Sequence, residues 1–145
     1  TGTKNISVGG YSLTANTTGA SNTAVGYDAL GGNTTGASNT AIGHDALTAN
    51  TTGSSNVAVG ALSLDANTTG AQNIGVGKAT LGANTTGGQN TALGHSALVT
   101  NTTASSNTAV GFESMRDNTT GADNVAVGSK LTLQLVMELL LERVL

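Results

Sequence analysis

The sequence predicts an all-β chain: a parallel β-solenoid, or β-roll, of about eight 17-residue coils followed by a short apolar C-terminal cap segment. Three observations carry this expectation. Asn-Thr-Thr recurs from Asn16, Asn33, Asn50, Asn67, Asn84, Asn101 and Asn118, seventeen residues apart with no insertion. Gly, Asn and Thr are spread through the whole unit, which excludes helical repeats, since an α-helix needs strong helix formers and apolar residues at three-to-four spacing. Aromatic residues are only 2% of the chain, and the apolar 37% is carried largely by Ala and Val, too little bulk for a thick core.

Taken in order, the unit reads N-T-T-G-x-x-N-x-A-φ-G-x-x-x-L-x-x, with φ aliphatic. Asn-Thr-Thr-Gly reads as the turn, because Asn tolerates left-handed backbone and Gly supplies it. A second Asn follows at Asn22, Asn39, Asn56, Asn73, Asn90, Asn107 and Asn124, and stacking in columns makes this a structural amide ladder. From Asn22 to Gly26 the residues alternate, Thr23 and Val25 on one face and Asn22 and Ala24 on the other, which is a short strand. It closes on a Gly repeated at Gly26, Gly43, Gly60, Gly77, Gly94, Gly111 and Gly128. The strand aliphatics (Val25, Ile42, Val59 and their equivalents) and a column of Leu13, Leu30, Leu47, Leu64, Leu81, Leu98 and Met115 are expected to share the narrow core. At about 4.8 Å per coil the rod is roughly 35–40 Å long. Two medium side chains per coil barely oppose the entropy of ordering seventeen residues, so a lone chain is under-cored and the remedy is bundling of several copies.

Residues 1–130 carry the repeat, and residues 131–145 break it. Seven of those last fifteen residues are Leu, none is Gly or Asn, and three charges in so short a stretch do not suit a membrane span. This tail reads as a cap on the open solenoid end or as an assembly segment. A second reading is a frameshifted last coil, since reading Lys130 to Glu138 one base out permits Ala-Asn-Thr-Thr-Thr-Gly-Asn-Gly. The start, Thr1-Gly2-Thr3-Lys4, lacks Met and an apolar leader, and reads as a processed form or a fragment. A formal charge of −3 offers no positive field for nucleic acid or anionic lipid. Cysteine is absent, which removes disulfides and Cys-based zinc sites.

The stretches N-T-A-V-G-Y-D-A-L (22–30) and N-T-A-I-G-H-D-A-L (39–47), joined by N-T-T-G, resemble repeats of phage tail-fibre-like and bacterial surface proteins. More loosely they resemble the head repeats of trimeric autotransporter adhesins. The likeness covers residues 5–130. It implies a β-roll in each chain, three chains side by side, and a fibre or adhesin on a cell surface or virion; the period in those heads is usually shorter than seventeen, so coil shape does not carry over.

No residue set points to catalysis. His44 and His95 share one column but lie three coils apart, too far to hold one metal, and Tyr27, Ala61, Lys78, Phe112 and Ser129 occupy the same column, as at a tolerant exposed position. Asp28 and Asp45 are neighbours whose column then becomes Leu62, Ala79 and Ser96, so no calcium array repeats. No Gly-x-Ser-x-Gly elbow or triad can be assembled. Neither cofactor nor metal is expected. Every Asn-Thr-Thr is also a glycosylation sequon, and Asn16, Asn33, Asn50, Asn67, Asn84, Asn101 and Asn118 are expected on accessible turns, where they are either turn chemistry or a row of glycans. The paired Thr columns of the same motif suggest the alternative of an ice-binding lattice. The expected role is a non-catalytic, extracellular rod that associates with itself as a homotrimer or filament and offers a repetitive contact surface to a host surface or glycan receptor; a glycan-decorated or ice-binding solenoid is the alternative.

Overall fold

The computed structural model describes residues 2–130, and the cap or assembly segment expected over 131–145 lies outside the described residues. The chain winds as a β-solenoid of about seven turns, with one three-residue strand per coil: β1 (Ile6–Val8), β2 (Thr23–Val25), β3 (Thr40–Ile42), β4 (Val57–Val59), β5 (Ile74–Val76), β6 (Thr91–Leu93), β7 (Thr108–Val110) and β8 (Val125–Val127). All eight form one parallel sheet in chain order. Every pairing is offset by one repeat, as in Ala24 to Ala41 and Ala41 to Ala58. No helix occurs among the described residues.

Outside the strands, the coil continues to bond to its neighbours. Leu30 donates its N–H to the Ala46 carbonyl (3.0 Å) and Thr34 to Thr51 (3.0 Å), both toward the next coil, while Asp28 bonds back to Gly10 (2.9 Å) and Ser38 to Ala20 (3.0 Å). The corners between these runs use left-handed backbone. Three columns of non-glycine residues sit at φ 50–61°: the Ser21 column just before each strand, the Asp28 column just after it, and the Leu30 column two residues further on. A β-branched side chain is a severe outlier in that conformation, whereas an unbranched Cβ is tolerated at a cost of about 1–2 kcal/mol. This accounts for Leu or Met, and never Val or Ile, at each position of the Leu column. The Gly26 column is more extreme, with φ 128–139°, and a Cβ on any member from Gly9 to Gly111 would collide with the carbonyl of the next Gly.

The core differs from expectation on one face. Leu30, Leu47, Leu64, Leu81 and Leu98 are fully buried, as the Leu column requires. Beside them lie the middle strand residues Ala24, Ala41, Ala58, Ala92 and Ala109, also fully buried, whereas the strand aliphatics expected in the core face outward. Ile42 is 41% exposed and Leu93 47%. The physical reason is width: one Leu, a second small residue and two Asn columns already fill the interior, and only Ala or Gly fits where the strand passes over them.

The fit is tight enough to show compensation. Opposite the strand, Ala29, Ala46 and Ala97 give way to Ser63 and Thr80, whose hydroxyls bond to each other (2.8 Å). At the strand position above them stands Gly75, where an added Cβ would lie 2.7 Å from Ser63 Oγ and 3.0 Å from Thr80 Oγ1.

Two predictions follow from these contacts. Ala58→Asp puts a carboxylate in the core and should abolish cooperative melting by circular dichroism, whereas Val59→Asp at the neighbouring outward position should keep the folded spectrum. Gly75→Ala should destabilise the wild-type protein by about 1–3 kcal/mol through overpacking, yet become neutral or stabilising in a Ser63→Ala/Thr80→Ala background, a sign change that a double-mutant cycle on thermal melts reads directly.

Candidate interaction surface

Both Asn columns are interior. Asn39 Oδ1 accepts the backbone N–H of Asn56 (2.9 Å), and its Nδ2 donates to the Gly53 carbonyl (2.9 Å), so each amide of this column ties two coils together. Amide-to-amide bonds run the whole length of the Asn-Thr-Thr column, and in the strand-entry column only from Asn73 to Asn124: Asn50 Nδ2 donates to Asn33 Oδ1 (2.8 Å) and also to the Gly53 carbonyl of its own turn (2.9 Å). Asn33, Asn50, Asn67, Asn84 and Asn101 are completely buried, and Asn16 and Asn118 at the ends are half-buried. This corrects the expectation of accessible sequons. The nitrogen that would carry a glycan is turned inward and donates two bonds in each copy from Asn33 to Asn118 and one at Asn16, and the turn exposes its second Thr instead. Those Thr columns are not equivalent: Thr34 Oγ1 donates to the Thr51 carbonyl (3.0 Å), as does each interior counterpart, while the second column, Thr35 and its equivalents, is exposed.

Around the outside, the sheet presents the feature the sequence reading missed. Its sixteen outward strand positions are twelve Val, Ile or Leu and four Thr, with no charged residue among them. The strip is two side chains wide and runs the length of the rod. Ile6, Val8, Ile42, Ile74, Leu93, Val125 and Val127 are its most exposed members. The available signal was the lack of any charge across eight strands, since a solvent-facing strand position ordinarily accepts Lys or Glu.

Just past the Gly, the column of Tyr27 and His44 is exposed, as expected. The Tyr27 and His44 rings stack at 5.4 Å, Tyr11 meets Tyr27 edge-on at 5.4 Å, and His95 stacks on Phe112 at 5.3 Å. His44 Nδ1 is 3.0 Å from Asp45. Asp28 accepts the hydroxyl of Thr48 (2.8 Å). Among the described residues no three His, Cys, Asp or Glu side chains converge as a metal site, and no helix is long and apolar enough to cross a membrane.

Charge is sparse, and among the described residues the ion pairs of Lys and Arg with carboxylates lie in the last coils. Arg116 pairs with Glu113 (3.0 Å) and Asp117 with Lys130 (2.7 Å). The bond from Lys130 holds the Asp117 carboxyl below its ordinary range. Asp65 is shifted the other way, raised by partial burial and to a smaller extent by Asp45, against the bonds it accepts from the backbone of Asp65 and Ala66. A raised carboxyl favours the folded state at low pH and loses that contribution as pH rises through its folded value. Asp65→Asn should therefore raise the melting temperature at pH 7, with the gain disappearing on acidification below the ordinary Asp value of 3.8; parallel melts at the two pH values check it.

Set against known proteins, the chain matches no family model, no curated protein and no solved structure.

Proposed function

We propose that this chain is a non-catalytic rod segment of an extracellular fibre or surface adhesin, in which copies pack side by side through the aliphatic strip of the sheet, three to an axis. The observation that supports it most is that strip: twelve aliphatic residues and four Thr aligned along the rod with no charge to oppose contact. At about 4.8 Å per strand and 10 Å of width it covers roughly 350 Å², within the range of about 300–600 Å² of the largest apolar patch on a typical monomer, a patch that is often functional. A pairwise contact of that area falls short of the roughly 800 Å² per partner of a stable complex. Three narrow strips converging on one axis give each chain two neighbours from the same surface. The N-T-A-V-G resemblance to tail-fibre-like and adhesin-head repeats supports the same arrangement and the extracellular setting. Length and stiffness come from the coil count, and the outward turns and aromatic column are left to face a receptor or glycan on a host surface.

Sedimentation equilibrium of the 145-residue chain should give a trimeric mass, and its melting temperature should rise with concentration. Val59→Asp should reduce the mass to that of a monomer while leaving the folded spectrum intact, because three carboxylates would face one another at the axis. A monomer at micromolar concentration with a concentration-independent melt sinks this reading.

A further inference from the structure

The outward strip of the sheet carries a second, longer period. Its column nearer the strand C-terminus, from Val8 to Val127, is aliphatic at every coil. The other column reads Ile6, Thr23, Thr40, Val57 and then repeats the same four residue types at Ile74, Thr91, Thr108 and Val125. The stacked rings two residues past the strand keep the same four-coil step: Tyr27 and His44 stand on the coils of Thr23 and Thr40, and His95 and Phe112 on those of Thr91 and Thr108. The exposed Ser21 column does not follow it, since Gln89 stands four coils from Ser21 and Asp123 four coils from Ser55.

The four strand Thr are half-buried, and their hydroxyls have no hydrogen-bond partner among the described residues, unlike those of Thr34 and Thr51, which donate to a carbonyl of the next coil. Facing water they need none. Covered by a neighbour's aliphatic side chain, each would be desolvated without a replacement bond. Against another Thr, a hydroxyl can both donate and accept.

We propose that Thr23, Thr40, Thr91 and Thr108 set the axial register of the side-by-side packing, the occupants of the strip being a second and a third copy of this chain, parallel and with like coils level. This rests on the lateral contact proposed above. Chains about a threefold axis run parallel, so three hydroxyls meet at each Thr level and each donates to the next around the axis. A slip of one coil sets Thr against an aliphatic residue at four of the seven levels still shared, a slip of two coils at all six, and a slip of three at two of five. A slip of four restores the match but keeps only four levels in contact. The column also reads the same in reverse, which makes an antiparallel pair the competing arrangement.

Disulfide mapping on the full chain tests it, because the sequence has no Cys of its own. Thr40→Cys, Thr91→Cys and Thr108→Cys variants are co-refolded in pairs, oxidised and digested, and the linked peptides show which levels meet. Links between like positions should outnumber mixed links by about tenfold or more. Prevalent links between positions 40 and 91 show the antiparallel pair, and between 40 and 108 the four-coil stagger; either overturns the proposal. The hydroxyls themselves are tested with Val59→Cys and Leu93→Cys, whose levels lie about 10 Å apart when copies are in register, too far for a disulfide. Their mixed links should rise about tenfold in a Thr23→Val/Thr40→Val/Thr91→Val/Thr108→Val background while the trimeric mass is retained. An unchanged low yield there overturns the role of the Thr. A trimeric mass with mixed links at the original Thr overturns the register alone, whereas a monomeric mass with no intermolecular link overturns the lateral packing and the register with it.

Discussion

Everything in this fold depends on buried Asn amides that bond from one coil to the next. A coil of seventeen residues encloses too little apolar volume to hold itself shut, and the interior space that a larger protein would give to Leu and Phe is here given to two columns of Asn. Each amide spans two coils, so its bonds form only when the neighbour is in register. A buried hydrogen bond adds only about 1 kcal/mol net, but leaving a partner unmade costs about 1–3 kcal/mol. Among the described residues no buried side-chain nitrogen or oxygen lacks a partner. A slip of one residue would orphan a whole column at once, which makes the register far more specific than the thin apolar core would.

Given that polar scaffold, the remaining side chains are constrained by space and by backbone hand. Left-handed corners bring the Leu column inward and forbid β-branching there, even though Val and Ile are freely used five positions earlier, on the strand. The interior admits one Leu and two small residues per coil, and where Ser63 and Thr80 enlarge one of the small positions, Gly75 shrinks the other. The repeat is therefore not a set of independent preferences, and its departures from consensus are coupled across the coil.

The same economy explains the outer surface. Aliphatic side chains that cannot enter so narrow a coil end up as an uncharged strip on the outer face of the sheet.

The sequence by itself determined the period, the strand positions, the all-β parallel stacking, the buried Leu column and the exposure of the His44 column, because a strict seventeen-residue repeat puts identical residues in columns and leaves almost no freedom in how they stack. It did not determine which side of the alternating strand faces in. Thr23 and Val25 on one face and Asn22 and Ala24 on the other satisfy period-two alternation equally well, and hydrophobicity favours burying Val over Ala; only the distance across the closed coil, set by the left-handed corners, decides for Ala. It likewise could not tell that Asn33 and its counterparts turn inward while the Thr beside them stay out, since a turn motif states a backbone conformation and not the direction of its side chains. That direction came from the tertiary structure, where an inward amide finds an Asn above it and a Gly carbonyl beside it.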